Sequence, residues 1–364
     1  MVKNMFNTKI IETKIISVDN NSYEGWPTVS KLNNGNLCLV FSGGRKRHVC
    51  PFGRLEFMLS NDNGKSWSWP RVIFDSAFDD RDGGILVTQK GTLIATTFSS
   101  DAYVNILNKA NELQQQNKLN WPDNELLQWQ QAHQRTLQTP DSTTGQWVFR
   151  SIDNGATWSD AIPSHVNSPH GPINLKSGKL LYAGKELWHG KARLGFCISD
   201  DDGLSWKWQS ELPTRPGDSS EHYHELHAVE MDNETIIVQI RNWNENNQGE
   251  TLQSESLDGG NTWTIPHSIG VWGLPSHLLK LSDGRLMMTY GHRRKPFGNQ
   301  ARISNDSGQT WSEPLFISTD GTCGDLGYPS TVEISKNHFI TIWYERKEHE
   351  KRAILRQAEW NLFY

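Results

Sequence analysis

The chain has 364 residues and a formal charge of −5 at pH 7, which argues against a nucleic-acid or anionic-membrane surface. No run of about 18 apolar residues marks a membrane span. Cys38, Cys50, Cys197 and Cys323 have neither paired nor metal-type spacing, so no disulfide framework, metal or cofactor is expected.

The opening MVKNMFNTKIIETK lacks an apolar signal core, and the chain as given is expected to be cytoplasmic. Within it, KIIETKIIS has the pattern of a strand. Six hairpins follow in order: TVSKLNNGNLCLVFSGG, GILVTQKGTLIATTF, PINLKSGKLLYAGKE, HAVEMDNETIIVQIRN, HLLKLSDGRLMMTYGHR and STVEISKNHFITIWYER. Each pairs two apolar runs across a turn rich in Gly or Asn. In the first five, a third strand leads into a box of the form S-x-D-x-G-x-[ST]-W, beginning at Ser60, Ser151, Ser199, Ser256 and Ser304.

Within each box the aspartate can bond nearby backbone N–H groups, the glycine permits positive φ, and the Trp offers an apolar face to the neighbouring unit. Five equivalent copies point to structure rather than catalysis or calcium binding. The sixth unit ends in RAILRQAEW without a box, and its missing outer strand is expected from the N-terminal KIIETKIIS, since circular arrays close by mixing chain ends. The expected fold is all-β: a six-bladed β-propeller forming one domain over residues 1–364.

Asp62 and Asp153 lie 91 positions apart, against 48 to 57 for the later boxes, so something is inserted in blade two. Residues from about 103 to 137 show helical spacing, interrupted at Asn120–Pro122, and predict two helices on one rim. A lid, a contact between copies of the chain, and ornament on a loop are all open readings.

The ends of the inner strands should gather at one mouth of the axis. They bring Arg45, Arg47 and His48 from blade one, Arg81 and Asp82 from blade two, and His170 from blade three. Blade four adds His222, His224, Glu225, His227 and Arg241. Blade five adds His277, Arg293 and Arg294, and blade six Tyr328 and Glu345. A site rich in Arg, His, Glu and Tyr suits an anionic ligand such as an acidic sugar.

With these boxes and site residues, the chain resembles the sialidase (neuraminidase) superfamily as a divergent member. In that family a glutamate supports a tyrosine nucleophile, and an arginine sixteen residues later binds the substrate carboxylate; HELHAVEMDNETIIVQIR sets Glu225 and Arg241 at that separation. Tyr328 in GYPSTV resembles the family's tyrosine motif, and Tyr344 with Glu345 its closing YE. Two departures stand out. Gly25 in GWP replaces the first of three clamping arginines, and His48 occupies the place of the acid/base aspartate. Arg293 and Arg294 approximate the third arginine.

The resemblance implies a glycosidase acting on a terminal, acidic sugar. His48 is the expected acid/base, Tyr328 the nucleophile and Glu225 its support. Arg45, Arg81, Asp82, His170, Arg241, Arg294 and Glu345 are the expected substrate contacts. A lyase eliminating from a uronic acid with His48 or His170 and Tyr328, and a sugar-binding propeller without turnover, are the alternatives.

Overall fold

The computed structural model describes residues 6–17, 22–122, 124–139, 143–187, 193–347, 350 and 352–364. Among the described residues, two α-helices and a 3-10 turn at Ser220–His222 accompany the strands. The chain opens with β1 (Asn7–Ile15), β2 (Tyr23–Lys31), β3 (Leu37–Arg45), β4 (Arg54–Ser60) and β5 (Arg71–Phe74). Four antiparallel sheets of four strands follow. They are β6 (Asp79–Val87), β7 (Leu93–Ser100), β8 (Gly145–Ser151) and β9 (Ile162–Pro163); then β10 (Ile173–Asn174), β11 (Leu180–Lys185), β12 (Leu194–Ser199) and β13 (Lys207–Glu211). Next come β14 (Tyr223–Glu230), β15 (Ile236–Asn242), β16 (Thr251–Ser256) and β17 (His267–Ser268), and β18 (Ser276–Lys280), β19 (Leu286–His292), β20 (Phe297–Ser304) and β21 (Leu315–Gly321). The chain ends with β22 (Leu326–Ser335), β23 (His338–Arg346) and β24 (Ala353–Phe363).

Four blades of this propeller are thus separate sheets, rather than the six expected. The remaining strands form one eight-stranded sheet. Its two halves, β22-β23-β24-β1 and β2-β3-β4-β5, meet through a single parallel pairing of Tyr23 with Ala353. The expected closure by the N-terminal strand is present, since β1 runs antiparallel to β24 from Asn7↔Phe363 to Ile15↔Arg356 and covers an edge that would otherwise expose unpaired backbone.

The inner strands are tied to one another around the axis. Val29 N–H donates to Ser330 Oγ (3.1 Å), Thr28 Oγ1 to the Gly83 carbonyl (2.8 Å), Leu226 N–H to Ser168 Oγ (2.7 Å), and Leu278 N–H to His227 Nδ1 (2.9 Å). These buried side chains supply the bonds that separate sheets cannot give each other.

The five boxes fold alike. In the first, Ser60 Oγ donates to Asp62 Oδ1 (2.8 Å) and accepts from Gly64 N–H (2.8 Å), while Ser66 donates through N–H and Oγ to the two Asp62 oxygens. The same set recurs at Asp153, Asp201, Asp258 and Asp306. Both carboxylate oxygens are spent inside the turn, so these aspartates build structure. The tryptophans reach the preceding unit: Trp263 stacks on Phe196 (3.7 Å, 9°), Trp158 meets Phe57 edge-on, and Trp67 Nε1 donates to Gln357. Such contacts combine apolar burial with orientation.

Between β7 and β8 the chain forms α1 (Tyr103–Gln115) and α2 (Glu125–Gln138). Tyr103, Leu107 and Ala110 are buried on α1 and Trp129 and Ala132 on α2, at helical spacing. No described helix is long and apolar enough to cross a membrane.

Candidate active site

Glu225 lies where β14 shifts register against β15, and Arg241 stands across that hairpin. Tyr328 comes from β22, where the ladder is interrupted between Gly327 and Ser330. Its φ is +51°, a left-handed conformation that costs a bulky residue energy and aims the ring out of the strand pattern. The preceding Gly327 has φ +117°, and a Cβ there would sit 3.1 Å from Gly291 Cα, so a larger residue would strain this turn.

Three side chains close into one hydrogen-bonded set. The Tyr328 hydroxyl donates to Glu225 Oε1 (2.7 Å), and Arg241 donates through one nitrogen to both Glu225 oxygens (2.8 and 3.0 Å) and to Tyr328 Oη (3.0 Å). Burial alone would raise the Glu225 carboxyl, but Arg241 and the Tyr328 hydroxyl outweigh it and hold the group at about 2. Tyr328 is raised well above the usual tyrosine range, by burial first and then by the Glu225 charge. The resting pair is therefore a neutral tyrosine donating its hydroxyl proton to a carboxylate.

A second set surrounds His48, whose side chain is half-exposed. Its Nδ1 lies 2.7 Å from Tyr23 Oη and 3.4 Å from Asp325 Oδ1. Tyr23 donates to Asp325 (3.0 Å), as do Tyr344 Oη (2.9 Å) and Arg346 Nε (3.0 Å). With the Tyr23 proton on Asp325, we assign the His48 proton to Nδ1, donating to Tyr23 and leaving Nε2 as a lone pair. Burial pushes Asp325 up, yet His48, Tyr344 and Tyr23 hold it at about 2. Burial, aided by Arg81 and Arg45, lowers His48 below its usual range against the pull of Asp325. Trp26 and Tyr344 join the two sets: the Trp26 ring lies 5.1 Å from His48 and 6.4 Å from Tyr328, and Tyr344 lies 5.8 Å from Tyr328.

Cationic groups frame this arrangement. Arg81 stands 4.7 Å from the Trp26 ring, and Arg293 lies 5.6 Å from the Tyr328 ring while donating to the Leu326 carbonyl. The Nε atoms of Arg81 and Arg241 are buried without a partner. Asp82 is buried with φ +51°, and its Oδ1 has no partner. Burial, with the Glu225 charge adding to it, lifts this carboxyl to about 7 against Arg81.

Among the described residues no group of three or more His, Cys, Asp or Glu side chains is arranged to hold a metal ion. All four cysteines are unpaired.

The profile of the BNR repeat-like domain matches residues 94–340. The chain belongs to that family. A sialidase from Clostridium perfringens is 27% identical over 201 residues, covering 46% of this chain; the chain spans about half, 52%, of that relative. A protein of unknown function from Dyadobacter fermentans superposes with a TM-score of 0.76 at 22% identity, covering 98% of this chain and 99% of that one. The Hadza microbial sialidase Hz136 gives 0.64 at 19% identity, with 92% and 65% covered. The intramolecular trans-sialidase from Ruminococcus gnavus, solved with oseltamivir carboxylate, gives 0.62 at 15% identity, with 94% of each chain covered. These likenesses establish the propeller fold.

Four of the expected substrate contacts are not among the groups that face the Tyr328 set. Arg45 is fully buried beneath the Trp26 ring: it pairs with Asp79 and donates to Ser42 Oγ (3.1 Å) and the His48 carbonyl, so both terminal nitrogens are engaged within the protein. Glu345 alternates with Tyr344 along β23 and therefore faces away, bonding Arg356 (3.0 Å) and Trp343 Nε1 (3.0 Å). Arg294 is exposed over Trp272, and its neighbour Arg293 reaches Tyr328 instead. His170 is buried in a trio with His227 and His277, with ring centroids 4.7–5.3 Å apart. The trio borders a cavity of about 610 Å³ that opens between the far ends of the inner strands, near Lys31, Glu230, Lys280 and Glu333. Burial drives all three rings to remain neutral. Sequence reasoning missed Asp325, Tyr23 and Trp26. Trp26 stands beside Gly25 in GWP, the one signal that could have drawn attention to it.

Proposed function

We propose that the chain is a glycoside hydrolase of sialidase-like type that removes a terminal, acidic sugar, working in a six-bladed propeller whose helices are an insertion in blade two. The eight-stranded sheet counts as two blades, because only one residue pair joins its halves. The observation that carries the functional reading is the Tyr328 hydroxyl donating to an ionised Glu225 while Arg241 bonds both.

In this reading Glu225 accepts the hydroxyl proton as Tyr328 Oη forms a bond to the anomeric carbon. His48, having taken a proton from solvent at Nε2, gives it to the departing oxygen as the glycosidic bond breaks. Water then attacks, His48 takes a proton from it, and Tyr328 leaves and recovers its proton from Glu225. Two displacements retain the anomeric configuration. Arg241, Arg293 and Arg81 hold the sugar's carboxylate, with Arg81 reaching from β6 over the Trp26 ring.

A screen of aryl glycosides of sialic and uronic acids, together with unsubstituted acidic oligosaccharides, tests this. Aglycone release that disappears in Tyr328→Phe supports the hydrolase. New ultraviolet absorbance without aglycone release would indicate elimination, and binding without either would indicate a sugar-binding propeller.

A further inference from the structure

The loop that carries His48 is packed into the helical pair. Arg47 pairs with Glu125 at the start of α2, and its guanidinium lies 4.4 Å from the Trp121 ring and 5.3 Å from that of Trp129. On the other side of His48, Val49, Cys50 and Phe52 join Tyr103, Leu107 and Trp129 in one apolar cluster. Cys50, Tyr103 and Trp129 are fully enclosed there. Further bonds tie the same loop to the sheet: Cys50 N–H donates to Asp79 Oδ2 (3.2 Å), and Arg45 donates to the His48 carbonyl. The flanking side chains thus point into the helices, whereas His48 points to Tyr23 and Asp325. In that cluster the apolar partners of Val49, Cys50 and Phe52 all come from α1, α2 and the segment between them.

We infer that the helical pair is the seat of the acid/base loop, and that Arg47, Glu125 and Trp129 are positioning residues setting the place of His48 over the cleft. The inference rests on the proposed role of His48. A general acid works only within hydrogen-bond reach of the leaving oxygen, and a loop held on one side by the sheet and on the other by helices keeps that reach fixed. The clamp combines an ion pair with cation–π contacts, which a lysine at position 47 would reproduce poorly.

Two readouts separate positioning from general support. The first compares a nitrophenyl glycoside, whose leaving group departs without protonation, with an oligosaccharide that needs the acid. Glu125→Gln and Arg47→Met should keep kcat/KM for the nitrophenyl glycoside, which reports the first displacement alone, within about threefold of the parent and lose about a hundredfold in kcat/KM on the oligosaccharide, the scale of general-acid assistance. Arg47→Lys should recover only part of it.

The second readout is the His48 titration followed by NMR in the same variants, which requires no turnover. It should move up towards the ordinary histidine value as the ring leaves its packed position beside Arg81 and Arg45. Both variants should retain a cooperative thermal transition, and Trp129→Phe serves as a milder probe if either fails to fold. Equal loss on both substrates, or a His48 titration identical to the parent's, would overturn the inference. If the parent protein cleaves no glycoside, the hydrolase reading fails, and the titration alone decides whether the helices position His48.

Discussion

The Tyr328 hydroxyl donates to Glu225 Oε1 over 2.7 Å, with Arg241 bonded to both groups. Replacing Glu225 with Gln keeps the shape but removes the proton acceptor. Turnover should fall by about 10²- to 10⁴-fold, the range of general-base assistance. A lyase would lose far less, so steady-state kinetics of Glu225→Gln separates the two chemistries.

Arg293 lies against Tyr328, whereas Arg294 is exposed over Trp272. Arg293→Ala should raise the dissociation constant of a carboxylate-bearing sugar analogue by about tenfold or more, as expected for a charged hydrogen bond. Arg294→Ala should leave it within about twofold. Isothermal titration calorimetry on the two variants checks the assignment.

Arg45 and Asp79 form an ion pair with no exposure on either side. Removing the cation leaves a buried carboxylate, so Arg45→Ala should cost about 3–5 kcal/mol of stability. Chemical denaturation reads this loss directly. A change in substrate affinity with unchanged stability would return Arg45 to the binding set.

Much of the site could be read from the chain because it rests on local spacing. Glu225 and Arg241 are brought face to face by one hairpin, and Tyr328 opens the next inner strand but one. The boxes were equally readable, since each closes its own bonds within a few residues. The His48 set was not. Asp325, just before β22, and Tyr23, on β2, converge on it through tertiary packing, and no short motif marks them. Arg45 failed as a candidate because a cationic loop residue looks the same in sequence whether it faces solvent or a buried aspartate. Glu345 could have been excluded by strand alternation alone, given Tyr344 at the site.

Burial holds the His277 imidazole down at about 3. An unfolded chain takes up this proton near pH 6.5, so the stability that His277 contributes above that pH is lost as pH falls from 6.5 towards 3. The loss runs at about 1.4 kcal/mol per pH unit. Asp82, raised to about 7, acts with the opposite sign, relieving strain as it protonates. His277→Gln should therefore have a shallower decline in stability below pH 6.5 than the parent, as measured by denaturant unfolding at stepped pH.

The central claim is that Tyr328 Oη bonds to the anomeric carbon. Acid-quenching the protein during turnover of a fluorinated, activated glycoside of an acidic sugar, then mapping its peptides by mass spectrometry, tests this most directly. The account predicts one sugar residue on the peptide carrying Tyr328, absent from Tyr328→Phe. Turnover of the same compound with no adduct, or with the adduct on another side chain, would contradict it.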